Sequence, residues 1–433
     1  MNRIHCKTLL PVALAAWLAA SNPSWAQADH AQPAGATTLR EVFEQAWQRQ
    51  PEARSGDARR EAVNAARAAA ASWTVEPAAL SLQTKSDRFG NNRGNREYEV
   101  GLALPLWLPG ERSRSGELAE AEARALDSRR RAAKLRLSGL VRETWWSYQR
   151  AESELRLAEA RLANARQLAD DVARRVKAGD LSRADQHQAS GAAAQAEAGL
   201  AEAQGNRDAA LSLLRSLAGH SRLRPGQPAG TPDIQANVAP KVQPEPLPQT
   251  PPQDLPADHP ALLELIDRAS AAWRAAELAG VRTRANPELV VAGTRSREQL
   301  GADNTQTYTL GIRFPFGAGP RAEARRATAR AEALDTEASA ELERSRVIAA
   351  IEAAQVQVTA AQGRLNAADK RGRLAGESLG FFDKSFRLGE TDLPTRLRIE
   401  LEAAEAERQL ARARIDHAAA ISGLRQALGL LPE

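Results

Sequence analysis

The chain has 433 residues and a formal net charge of +5, with 59 Lys and Arg set against 54 Asp and Glu. The two signs are interspersed along the sequence, which excludes a basic face reserved for nucleic acid. Its only cysteine is Cys6 and its only methionine is Met1, which excludes a disulfide framework and a methionine-based soft-metal relay.

Residues 1–26 read as a secretory signal. Arg3 and Lys7 supply a positive start, Leu9 to Ala20 is a short apolar run, and Ser24 and Ala26, or Ala26 and Ala28, are small residues at cleavage spacing. The run is too short for a membrane anchor. Cys6 and both positive charges leave with it, so the mature net charge falls to +3 and no cysteine follows the run to carry a lipid.

A first helix is expected from Leu39 to Trp73. Thr37 or Thr38 caps it, Glu41 stands in capping-box position for Thr38, and Pro51 breaks or kinks it. The period then changes to two. Leu80 and Leu82 mark a short strand, and SDRFGNNRGN is loop-like. In the next strand Tyr98, Val100, Leu102, Leu104 and Leu106 share one face, while Glu99, Gly101 and Ala103 share the other. A very long helix follows from Glu111 to Lys177. Its apolar seam runs from Ala133 through Leu137, Leu140, Tyr148, Leu162 and Val172 to Val176, in steps of three and four with one stutter. A turn at Gly179 leads to a shorter helix from Leu181 to Leu217. Trp145 and Trp146, mid-helix, are expected to pack at a helix interface.

Residues 220–259 are proline-dense around PEPLPQTPPQDLP, which suits either a disordered spacer or a belt across the helices. Beyond them the pattern returns. A helix is expected from Pro260 to Arg284, with Asp258 as its cap. Val290 and Ala292 mark a strand, and REQLGADN is a loop. In the following strand Tyr308, Leu310, Ile312, Phe314 and Phe316 form the apolar face, opposite Thr309, Gly311 and Arg313. A second long helix carries the seam again from Val347 to Phe386, and a turn at Gly389 leads to a helix from Asp392 to Leu428.

The two halves are one unit repeated. Tyr98, Gly101 and Pro105 recur 210 residues later as Tyr308, Gly311 and Pro315, and the same offset carries Pro77, Gly179 and Gly219 onto Pro287, Gly389 and Gly429. No gap is needed from Pro77 to Gly219. The repeats span residues 37–219 and 260–430. Two short helices end to end match one long helix in length.

Strands of about ten residues suit a tilted crossing of a bilayer. Four strands cannot close a barrel, and an open edge in lipid leaves backbone groups unpaired, so several copies must pool their strands. Two copies give eight strands with a filled interior, whereas three give twelve with room for water. The inward residues are small or polar, and Arg313 demands a wet face.

The duplicated plan, the GLALPLWL and GIRFPF strands, the turns RVKAGDLS and SFRLGETDL, and the NPEL at Asn286 to Leu289 together resemble the TolC family of outer-membrane efflux channels. EPAAL at Glu76 to Leu80 is a weaker counterpart of NPEL. The resemblance implies a mainly helical fold with a transmembrane β part. It implies a homotrimer whose α-helical barrel crosses the periplasm and continues into a 12-stranded β-barrel in the outer membrane, four strands per chain. Val100, Leu102, Leu104, Leu106, Leu310, Ile312, Phe314 and Phe316 would face lipid. The tips would dock on a periplasmic adaptor and an inner-membrane pump, expected of the RND type. By the resemblance one tip comprises Val176, Gly179, Asp180, Leu181 and Ser182. The other comprises Phe386, Leu388, Gly389, Thr391, Asp392 and Leu393. Asp180, Asp185 and Asp392 are candidates for an acidic ring selecting cations. Relatives carry paired aspartates further past the second glycine, where this chain has Thr395 and Arg398, which speaks against a narrow acidic gate in the second repeat. The TLREVFEQAW start and NPEL resemble the CzcC-like branch serving metal-ion pumps, with drugs, solvents and dyes left open as cargo.

No catalytic, cofactor or metal site is expected. His30, His187, His220, His259 and His417 are scattered, with no ligand pair at helical spacing. Neither a phosphate-cradling glycine loop nor a nucleophile elbow occurs. The expected function is a passive exit duct. The rival readings are a periplasmic adaptor, and a coiled-coil structural protein of the envelope without a pore.

Overall fold

A computed structural model describes residues 38–90, 92–219, 244–248, 258–317 and 319–433. The expected signal, and the Pro-rich segment apart from 244–248 and 258–259, lie outside the described residues.

The expected first helix is three. Helix α1 spans Leu39–Arg49, α2 Pro51–Arg54 and α3 Gly56–Ala71. Thr38 and Glu41 form the expected capping box, each side chain bonded to the other's backbone N–H at 3.2 Å. Pro51 ends α1 as anticipated, because proline clashes with a preceding turn but suits the first position of a new one. The second break, at Ser55 and Gly56, carried no proline to announce it.

Strands β1 (Ala79–Ser86), β2 (Arg96–Pro105), β3 (Glu288–Arg297) and β4 (Thr305–Arg313) form one antiparallel sheet in chain order. The hairpins of the two repeats thus pair through β2 and β3, leaving β1 and β4 as free edges. Leu106 lies just past β2, where its N–H donates to the Pro287 carbonyl at 2.7 Å. Phe314 and Phe316 lie beyond the end of β4.

The long helices are α4 (Glu111–Ala178) and α7 (Gly319–Arg387), of 68 and 69 residues. At 1.5 Å rise each is roughly 100 Å long. Helix α5 (Arg183–Ala218) lies along α4, and α8 (Leu393–Ala427) along α7. Helix α6 (Pro260–Val281) packs on both long helices. It ends three residues before the expected Arg284. Asp258 does not cap it: His259 holds the N-cap position without a side-chain bond. Helix α5 ends against the Arg49 side chain of α1, and α8 ends against His259 and Pro260 at the start of α6. Each long helix therefore runs beside two shorter stretches in series, as the lengths suggested.

Most expected seam positions are buried or half-buried. Leu162 and Ala165 of α4 meet Ala196 of α5, and Val347, Ile351 and Ala354 of α7 meet Leu424 and Leu428. Leu140 and Ala350 are exposed instead. In the first case the widest core crosses α4 on another face, with Leu137, Val141, Trp145, Trp146 and Tyr148 packed against α1, α5 and α8. The tryptophan pair is therefore at a helix interface.

The described piece of the Pro-rich segment lies across the helices at this level. Arg142 of α4 donates from Nε and Nη2 to the two Glu245 carboxylate oxygens at 2.9 and 2.8 Å, and from Nη1 to Gln426 and to the Leu430 carbonyl. Arg425 of α8 donates to the Pro246 carbonyl at 3.0 Å and pairs with Glu433 at 2.6 Å. All three charged side chains of the centre, Arg142, Glu245 and Arg425, are buried.

Candidate functional site

Two regions hold the residues singled out in the sequence, the sheet at one end of the helices and the two hairpin turns at the other.

Pairing of the strands assigns every sheet side chain to a face. Val100 stands opposite Leu82, Leu102 opposite Leu80 and Val291, and Leu310 opposite Val291. With Leu104, Leu289 and Ile312 they form one continuous apolar face, and it is uncovered: Leu82 is 72% exposed and Leu310 75%. Val290 and Ala292, which mark strand β3 in the sequence, stand opposite Gly101, Ala103, Thr309 and Gly311 and so face the other way. The offset of 210 slips by one within the hairpin, where Leu80 and Leu82 correspond by their pairing to Leu289 and Val291, and a slip of one residue exchanges the faces of a strand.

The opposite face is polar. It carries Gln83, Lys85, Glu97, Glu99, Thr294, Thr307, Thr309 and Arg313. Its charges meet opposite signs across the ladder: Lys85 pairs with Glu97 at 3.9 Å and Arg313 with Glu288 at 3.6 Å. Charge on this side is tolerated only if it is wet.

A buried carboxylate joins sheet to helices. Glu111, at the start of α4, is 1% exposed. It accepts from Arg282 at 2.7 Å, from Asn286 at 2.5 Å and from the Leu108 N–H at 3.1 Å. Asn286 also donates to the Leu106 carbonyl. The NPEL turn is thus a structural tie. Glu111 itself carried no sequence signal, because its partners lie 171 and 175 residues away.

At the other end Gly179 and Gly389 adopt φ of +89° and +80°. Each closes a helix in the same way: the glycine N–H and the next N–H donate to Val176 and Arg175 in one turn, and to Phe386 and Ser385 in the other. A side chain at a left-handed position is disfavoured, so glycine is required. Ser182 and Asp185 then cap α5 reciprocally, and Asp392 caps α8 by accepting from the Thr395 N–H at 3.2 Å. The bond from Thr395 holds the Asp392 carboxyl below the ordinary aspartate range. Two of the three candidate ring acids, Asp185 and Asp392, are therefore engaged as caps. Asp180 is exposed.

The tip residues divide into two groups. Phe386 and Leu393 are buried in a core with Leu168, Val172 and Ala189, flanked by Val176 and Leu181. This core joins the two hairpins. Phe386 is held between the guanidinium groups of Arg175 and Arg396, at 5.1 and 5.6 Å from its ring. Asp383 pairs with both Arg396 and Arg387. The outer surface consists of Gly179, Asp180, Ser182, Leu388, Gly389 and Asp392, with Thr391 half-buried. Leu388 is 75% exposed. Arg175 and Arg396 were missed in the sequence, where they read as ordinary helix-surface charges.

Among the described residues no helix is long and apolar enough to cross a membrane, and no group of His, Cys, Asp or Glu is placed to hold a metal.

Residues 42–220 match the family model described as outer membrane efflux protein. The fold is similar to that of the outer membrane protein VceC from Vibrio cholerae, with a TM-score of 0.71 and 17% identity over 91% of this chain and 97% of that one. It is similar to a membrane protein from Pseudomonas aeruginosa, with a TM-score of 0.72 and 19% identity over 92% of each chain. CusC, solved in a study of folding and transmembrane channel formation, gives 0.71 and 17% over 93% and 96%. No curated protein sequence matches the chain.

Proposed function

We propose, for a chain whose residues 42–220 match the model of the outer membrane efflux protein family and whose fold is similar to that of the channels compared above, that it is the passive outer-membrane duct of a tripartite efflux system. The carrying observation is the sheet: four strands with two free edges, an uncovered apolar face and a polar face. Such a sheet is stable in lipid only when copies join edge to edge. Three copies give twelve strands around a wet lumen, and the helical hairpins then extend into the periplasm. The outer surface of the tips, centred on Asp180, Leu388 and Thr391, is the docking surface for a periplasmic adaptor and its inner-membrane pump, with an RND pump the first to examine. Asp180 is the acid best placed to line the entrance. Energy comes from the pump, and the duct performs no catalysis. The TLREVFEQAW and NPEL stretches supply a cap, core residues and the Asn286 tie, so they carry no cargo information; metal cations and organic solutes are both to be assayed.

The repeat itself supplies a test. Glu111 and Asn286 meet where the first repeat joins the second. Shifted by the repeat offset they become Arg321 and Glu76, both exposed in the single chain. In a ring of copies these two, of opposite charge, meet across the seam between subunits. The chain with Glu76→Cys and Arg321→Cys, treated with a short thiol crosslinker, is expected to run as a covalent trimer extracted from outer membranes. A water-soluble monomer that does not enter bilayers, or crosslinking that stops at dimers, overturns the reading.

A further inference from the structure

The apolar face of the sheet ends in arginine. Moving along it away from the helices, the apolar side chains give way to Tyr98 and Tyr308, with Arg295 level with Tyr98, and then to Arg96 and Arg297. Strand pairing places all three arginines on the same face as Val100 and Leu102: Arg295 stands opposite Tyr98, and Arg96 directly opposite Arg297.

This arrangement is the reverse of that on the polar face. There each cation faces an acid across the ladder. Here arginine faces arginine. Directly opposed like charges destabilise a strand pair, their Cβ atoms being only about 5 Å apart. Nothing within the described chain relieves it: none of the three arginines makes an ion pair or side-chain hydrogen bond there, and the Arg297 Nε is buried without a partner. The missing partner must be an anion that reaches the outside of the sheet.

The position says which anion. The three lie at the hairpin-loop end, farthest from the helices, Arg295 beside Tyr98 and the opposed pair Arg96 and Arg297 one step beyond it. Tyrosine in barrels marks the boundary between hydrocarbon and headgroups, so the arginines stand at headgroup level. A guanidinium fork fits a phosphate with two parallel bonds, and two forks this close share one phosphate.

We propose that Arg96, Arg295 and Arg297 form a binding site for the phosphate-bearing headgroup of an outer-leaflet lipid. The site rests on the barrel reading given above, which puts this end of the sheet in the outer leaflet. Three copies would carry three such sites around the barrel. Anionic lipid then supplies the charge that the strand pairing lacks, and links insertion of the barrel to the outer leaflet.

The test uses the full mature chain reconstituted in phosphatidylcholine vesicles that contain bisphosphorylated lipid A, its dephosphorylated form, or neither. Lipid retained by the repurified protein is quantified by mass spectrometry. The wild type is expected to retain the phosphorylated form in preference, and Arg96→Gln, Arg295→Gln and Arg297→Gln together to abolish that preference, at about fivefold per arginine. Lys85→Gln with Arg313→Gln, on the polar face, is expected to leave it intact. Arg96→Gln alone carries a two-sided signature: weaker retention, but higher thermal stability in plain phosphatidylcholine, because the opposed pair is gone. Equal retention of both lipid forms, or an unchanged triple variant, overturns the proposal. Complete displacement by millimolar inorganic phosphate also overturns it, since the site would then read free phosphate and not a lipid. Failure of the wild type to enter plain phosphatidylcholine vesicles sinks the barrel reading and this site with it, whereas entry without lipid preference sinks the site alone.

Discussion

Arg142, Glu245 and Arg425 show what a single charged residue does in this molecule. Each comes from a different part of the chain, α4, the Pro-rich segment and α8, and all are buried. A lone buried ion is costly, whereas one with its partners and hydrogen bonds in place is tolerated. The Glu245→Gln variant leaves the buried Arg142 without its carboxylate and removes one of the two that Arg425 pairs with. It is expected to cost about 3–5 kcal/mol, read as a lowered denaturant midpoint, and joint replacement of Arg142 by Met and Glu245 by Leu is expected to cost less. A midpoint unchanged in the single variant shows that water reaches the site. Nothing in the spacing of these residues announces the cluster, since 103 residues separate Arg142 from Glu245. Tyr148 gives a pH signature nearby. Burial, aided by the Glu152 carboxylate to which its hydroxyl donates at 3.1 Å, pushes its pKa up to about 12. Its folded-state pKa lies above the unfolded value near 10, so its contribution is fully present below pH 10 and is lost as pH rises through about 12. Alkaline unfolding monitored by circular dichroism is expected to lose that component in Tyr148→Phe.

Among the elements, the turns were the most legible and the hairpin registers the least. A helix reversal needs a left-handed residue and a cap, both local demands, and Gly179 with Ser182 and Gly389 with Asp392 meet them within four positions. Register depends on which residues of a distant strand lie opposite. The alternation of β2 and β4 was readable, but the one-residue slip between the hairpins was not, and the pairing alone puts Val290 and Ala292 on the polar face. The tip illustrates the same limit. Phe386 is both the last position of the expected seam and, by the resemblance, part of a docking tip. Its burial between α4 and α8, at 3% exposed, depends on two hairpins meeting. Phe386→Ala is expected to cost about 3–5 kcal/mol of local packing. Amide exchange should then rise within residues 168–181 and 386–397, while the core around Trp145 keeps its protection. Uniform exchange across the helices would mean that the tip core does not hold the hairpins together.

For the whole molecule the duplication is the dominant fact. It produces two hairpins of helices and two of strands, and the pairing of β2 with β3 makes them one sheet and not two. In a single chain the edges of that sheet are unpaired and its apolar face is uncovered, which is what the proposed ring of copies would satisfy. The sequence by itself determined the duplication, the lengths of the long helices, their reversal points and the two-sided character of the strands, because each arises from residues close together in the chain and from backbone preferences that act locally. Tertiary structure alone decided the strand register, the burial of Glu111 and of the Arg142 cluster, the enclosure of Phe386 and the opposition of Arg96 to Arg297. Each of these is a contact between residues far apart in sequence, and its energy exists only once packing has excluded water from between them or pairing has brought like charges face to face.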